Sequence, residues 1–160
     1  MLGCDTEFFQ DKEDALIILG KLATFGKDIS VITKLPLSDN LLEKIKSVVN
    51  DMKNAGNIFS FSVSVPCLSE STVAKYEPSV PHPMKRIETL QSVYKKGLHT
   101  MVAIRPLLPD ATNEELEEIV NLTKDYCVGY YSGPLYLKEE KINFFFPGYT
   151  GTEKEIQPKW

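Results

Sequence analysis

The chain has 160 residues, 42% of them hydrophobic and 25% charged, which suits one globular domain with a real core. A formal charge of −4 gives no electrostatic reason to expect tight nucleic-acid binding, and no run of Lys and Arg stands out. No apolar stretch approaches the roughly 18–20 residues of a membrane span, and no basic-then-apolar leader opens the chain.

The three cysteines, Cys4, Cys67 and Cys127, are too few and too scattered for a disulfide framework, and they show no metal-ligand spacing. A reducing, cytoplasmic setting is expected. The first residues, Met1 to Phe8, read as the end of a strand whose beginning is missing. Residues 11–25 place Ala15, Ile18, Leu19 and Leu22 on one helical face. Residues 28–34 read as a buried strand ending at Lys34, and Pro36 breaks the chain after it. Ser38 is a good N-cap for a helix over about 39–54, with Leu41, Leu42, Ile45, Val48, Val49 and Met52 in register.

Residues 57–66 alternate strictly and predict a strand. Ser60, Ser62 and Ser64 share one face, and Phe59, Phe61, Val63 and Val65 share the other. A buried parallel strand is usually apolar on both faces. A row of hydroxyls therefore suggests a polar lumen, with an edge strand facing water as the plainer alternative. A long connection, 67–82, follows, with a short helix after Ser69. Pro83 suits the first turn of a helix running to about Lys96, and Gly97 stops it. Residues 99–107 read as a strand, 112–125 as a helix, 127–137 as a strand, and 142–146 as one more. The tail over 150–160 is polar and expected to be loose.

Strands alternating with helices imply βαβ units and a parallel sheet, either doubly wound or part of a (β/α) barrel. A complete eight-unit barrel takes about 250 residues, so a barrel here would be incomplete, spanning residues 1–149. In either fold, ligands bind at the carboxyl ends of strands. Thr6, Glu7, Lys34, Ser64 and Arg105 stand at such ends. They are hydrogen-bonding or charged groups suited to a zwitterionic, hydroxyl-rich ligand, and Ser62 shares their face. In the long connection, Glu77 is the one acid between Ser71 and Ile87, and Arg86 sits one turn into the next helix. An ion pair between them is expected to staple the loop. His82 and His99 lack a paired carboxylate or nucleophile nearby and read as structural or solvated. Tyr130, Tyr131, Tyr136 and Phe144–Phe146 suit packing at a barrel end better than stacking on a base.

Several short motifs bear a family resemblance. They are Thr33–Lys34, the SVP of Ser64–Pro66, Glu77–Pro78, the KRIE stretch after Pro83, and the RPLLP of Arg105–Pro109. In this order and spacing the chain, from about residue 2 to 137, resembles the middle and late strands of radical S-adenosylmethionine (radical SAM) barrels. It is most similar to the spore photoproduct lyase-like group, which includes DNA-repair-photolyase-like proteins. The resemblance implies an incomplete α/β barrel of the radical SAM type and a parent activity of reductive S-adenosylmethionine cleavage at a [4Fe–4S] cluster, on an unknown substrate. It also implies cofactor contacts at Thr6, Glu7, Lys34, Ser62, Ser64 and Arg105. Arg105 departs from the small residue of spore photoproduct lyase. Cys4 matches a hydrogen-donating cysteine near this point in that enzyme, although many relatives lack one.

The family's CxxxCxxC loop is not in this sequence, so the chain is expected to lack cluster ligands and to be inactive alone. Two other readings compete with the enzyme. One is a non-catalytic interaction subunit, in which a partner chain supplies the cluster loop or copies of the chain associate. The other is a lyase using Lys34 as a Schiff-base nucleophile.

Overall fold

The computed structural model describes residues 1–3, 6–137, 141, 142, 144, 146 and 147, and the backbone of 155 and 156. Helices and strands alternate in this order: α1 (Lys12–Ala23), β1 (Ile29–Thr33), α2 (Asp39–Asn54), β2 (Phe59–Ser64), α3 (Glu70–Tyr76), α4 (Pro83–Lys95), β3 (Thr100–Ile104), α5 (Asn113–Thr123), a 3₁₀ turn (Lys124–Tyr126), β4 (Tyr130–Ser132), β5 (Leu135–Tyr136) and β6 (Glu155–Ile156).

The helix ends follow from local chemistry. Asp11, Ser38, Ser69 and Thr112 each offer a side-chain oxygen to an orphan N–H of the following first turn, at α1, α2, α3 and α5. Pro83 occupies the first position of α4, where a missing N–H costs nothing, and His82 caps that helix through its ring nitrogen. Gly97 ends the same helix at φ 75°, a conformation that a side chain would strain.

The sheet is parallel and runs β1-β2-β3-β4, in the order of the sequence. Leu2 adds a parallel bridge to Val31 on the outer side of β1, through Leu2 N to Ser30 O at 2.7 Å and Ile32 N to Leu2 O at 2.9 Å. Residues 1–3 thus form a short strand stub, bridged to β1 at Leu2 alone.

One face of this sheet holds the core. Val31, Phe61, Val63 and Val102 point to it from the strands. Leu19 of α1, Leu42 and Ile45 of α2, Leu90 and Val93 of α4, and Ile119 of α5 meet them there. The four long helices therefore cover the same face. A doubly wound sheet reverses its strand order and carries helices on both faces; this one does neither. No helix among the described residues is long and apolar enough to cross a membrane.

Several expectations need correction. Ile18 is 45% exposed, because the buried stripe of α1 centres on Ala15 and Leu19 and leaves Ile18 at its margin. The strand expected over 127–137 is two short strands, β4 and β5, because Gly133 and Pro134 interrupt it. Residues 142 and 144, expected to be extended, are helical. The tail over 150–160 lies outside the described residues except for β6, which pairs antiparallel with β5.

Candidate functional site

The carboxyl ends of the strands, together with the stub, β5 and the loop before it, enclose a cavity of about 360 Å³. Thr6, Glu7, Lys34, Ser64 and Arg105 all line it. Parallel strands in sequential order end side by side, so groups at the ends of successive strands face one opening. That geometry brings together five residues spread across a hundred positions of sequence.

Their roles differ. The Glu7 carboxylate accepts from Thr33 Oγ1 at 2.7 Å, Phe9 N at 3.1 Å and Lys34 N at 3.0 Å. A carboxylate offers about four acceptor directions, so most of Glu7 is spent on its own chain. It fixes the end of β1 and leaves little for a ligand amine. The Thr33 hydroxyl in turn accepts from Leu35 N at 2.9 Å, which turns the chain away from the strand.

Ser64 is almost wholly buried. Its hydroxyl donates to the Arg105 carbonyl at 3.2 Å and its own carbonyl accepts from Nη1 of Arg86 at 3.2 Å. It ties β2 to β3 and to α4. Thr6 is exposed at the mouth.

Arg105 is exposed and makes no ion pair among the described residues. Its side chain lies against Gly133, where a Cβ would stand 3.1 Å from Nε. A glycine there makes room for the guanidinium to follow the wall.

Lys34 has a partner that local sequence does not reveal. Its Nζ lies 2.6 Å from Oε1 of Glu77, and Oε2 of Glu77 lies 2.7 Å from Nη2 of Arg86. The expected Glu77–Arg86 pair is present. These are close charge contacts, although neither Glu77 oxygen nor Nη2 has the alignment of a good hydrogen bond. Arg86 is wholly buried, and its Nε donates to the Pro81 carbonyl at 2.6 Å. The pair thus holds the long connection against the end of β2.

The serine row keeps the expected face, opposite the core. It is not an open polar wall, because Ser62 and Ser64 are both buried. The Ser62 hydroxyl has no hydrogen-bond partner among the described residues and does not line the cavity. Across that face the Tyr131 hydroxyl reaches Sδ of Met1 at 3.7 Å. Tyr131 pairs with Ala103 beside Ser64, and Met1 precedes the Leu2 bridge. The contact therefore runs diagonally over β3, β2 and β1. Tyr131 and Tyr136 belong to the cavity wall.

Cys4 lies outside the described residues. Cys67 is buried in a small satellite cluster, and burial, with Glu77 and Glu115 nearby, pushes its thiol up to about 12. Cys127 packs at the margin of the main core. No group of three His, Cys, Asp or Glu side chains that could hold a metal ion occurs among the described residues. A [4Fe–4S] cluster therefore finds no ligand set in them. Lys34 and Arg105 place two cations at the cavity wall, and the cavity volume falls within the range of about 300–1,000 Å³ usual for small-molecule sites.

No model of a known protein family matches the chain, and no curated protein matches it.

Proposed function

We propose that this chain is an arc of a (β/α) barrel of the radical SAM type, and that it binds S-adenosylmethionine in the cavity at its strand ends. The observation that carries the reading is convergence. Five residues from four separate strand ends line one cavity. The sequential strand order and the one-sided helix layer support the barrel arc.

Lys34 and Arg105 would attract the cofactor carboxylate, and Thr6 offers a hydroxyl at the mouth. Glu7 and Ser64 act one step back, by holding the strand ends in place. S-adenosylmethionine, when reductively cleaved, supplies a 5′-deoxyadenosyl radical. The described residues do not fit the cluster that this cleavage needs, so the function proposed for this chain is binding and positioning.

Isothermal titration of S-adenosylmethionine into the purified chain tests the reading. Saturable binding at one site, weakened about tenfold or more by Arg105→Ala, is expected. Absence of saturable binding at millimolar ligand would overturn it.

A second reading is favoured by the outer flank of β1. Met1 and Phe25 are exposed there and line one groove with Leu2 and Leu22, beside a strand stub paired on one side to β1. On this reading the chain completes its sheet against another polypeptide, which brings the cluster loop. Sedimentation of the chain with and without a candidate partner tests it, and a monodisperse monomer that binds no partner counts against it.

A further inference from the structure

Glu77 stands between two cations of unequal freedom. Arg86 has no exposed side-chain surface and is anchored by the Pro81 and Ser64 carbonyls. Swinging it away would strip a wholly buried cation of its carboxylate partner. Lys34 keeps 33% of its side chain exposed and lines the cavity. Its four-carbon stem lets the ammonium rotate to a second anion.

Charge balance separates their roles. One arginine is enough to neutralise Glu77. Lys34 adds a second positive charge to a pair that is already neutral, at the wall of a cavity that also holds Arg105, which has no ion pair among the described residues. When Lys34 leaves, Glu77 keeps Arg86, and no buried charge is stranded. A carboxylate with one fixed and one releasable partner is a holding position for the releasable one.

The geometry points to Lys34 as an exchange cation: it rests on Glu77 in the free chain and transfers to the carboxylate of a ligand that enters the cavity. Glu77 then acts as an internal competitor. It lowers affinity by the fraction of time it holds Lys34, and it makes an anionic group the condition for engaging that lysine. A neutral ligand of similar shape leaves Lys34 where it is. This inference rests on the reading of the cavity as an S-adenosylmethionine site.

The test compares S-adenosylmethionine with 5′-methylthioadenosine, which carries no carboxylate, on the full chain. Titration gives the affinities. The Lys34 Nζ resonance in ¹⁵N-lysine-labelled protein gives the position of the ammonium. Lys34→Met should weaken S-adenosylmethionine about tenfold and leave 5′-methylthioadenosine within about twofold. The Nζ signal should move on adding the first ligand and stay still with the second. Glu77→Gln strands Arg86 and risks unfolding, so the releasing variant is Glu77→Gln combined with Arg86→Met. It should bind S-adenosylmethionine at least about threefold more tightly than the parent. Binding of S-adenosylmethionine that Lys34→Met does not weaken, or an Nζ signal that does not respond, would overturn the exchange and leave the cavity's ligand standing. Failure of both nucleosides to bind would overturn the ligand reading and the exchange with it.

Discussion

The Thr33 hydroxyl donates to the Glu7 carboxylate at 2.7 Å, across the gap between the strand stub and the end of β1. The same carboxylate accepts the Lys34 and Phe9 backbone N–H groups. A side chain that satisfies three donors at once holds a turn that regular pairing does not reach. Removing it leaves a half-buried backbone donor unpaired. Glu7→Ala should cost about 2–3 kcal/mol in urea unfolding. A loss below about 0.5 kcal/mol would show that water replaces it freely.

Arg86 and Glu77 should show strong coupling. Either single change, Glu77→Gln or Arg86→Met, breaks a buried pair and should cost about 3–5 kcal/mol. The double variant should cost much less than the sum, because each partner is harmful mainly when left alone. A double-mutant cycle by chemical denaturation measures this. Additive losses would mean that the pair is solvated in practice.

Phe61 has no exposed surface, and its ring stacks on Phe9 at 5.8 Å between centroids. Phe61→Ala should cost about 3–5 kcal/mol. Phe25, at 70% exposure, provides the contrast. Phe25→Ser should change stability by no more than about 0.5 kcal/mol while raising the concentration at which the chain stays monodisperse. Equilibrium unfolding and light scattering read the two effects.

Cys67 gives a pH signature. Its folded-state value is raised to about 12, chiefly by burial and then by Glu77 and Glu115. The unfolded thiol ionises near its ordinary value of about 8.5. Below that point both states are protonated and stability is unaffected. Between about 8.5 and 12 the unfolded chain releases a proton that the folded chain keeps, so stability falls as pH rises, by up to about 1.4 kcal/mol per pH unit. Cys67→Ala should flatten this difference between pH 8 and pH 10. At pH 8 in the native state, Cys67 should also resist iodoacetamide until the chain is unfolded, read by mass spectrometry of its peptide.

Much of the fold was legible because its signals are local. Ser38, Ser69 and Pro83 mark helix starts by chemistry confined to one turn, and the alternation over 57–66 assigns its two faces without reference to anything distant. The convergence of Thr6, Glu7, Lys34, Ser64 and Arg105 was legible too, since parallel strands fix where their ends lie. Glu77 and Arg86 were paired correctly because they are near in sequence and no other acid competes. The Lys34–Glu77 contact was not, because it joins the end of β1 to the loop after α3 and leaves no periodic trace. Nor was the burial of Ser62, since the alternation of its own strand assigns a face but not what covers that face. The run INFFF illustrates the opposite failure: aromatic composition suggests a strand, while residues 142 and 144 are helical.

The sequential strand order also sets a timetable. During synthesis each new strand meets its neighbour already in place, so the sheet can grow by addition at one edge. The cavity keeps a different schedule. Its wall needs Tyr131, Leu135 and Tyr136, which leave the ribosome after the four long helices and the first three strands. A nascent chain stalled before Tyr130 would carry most of its core but lack Tyr131, Leu135 and Tyr136 of that wall. Ligand binding would thus report the arrival of Tyr131 to Tyr136, after the protein had begun to resist a protease.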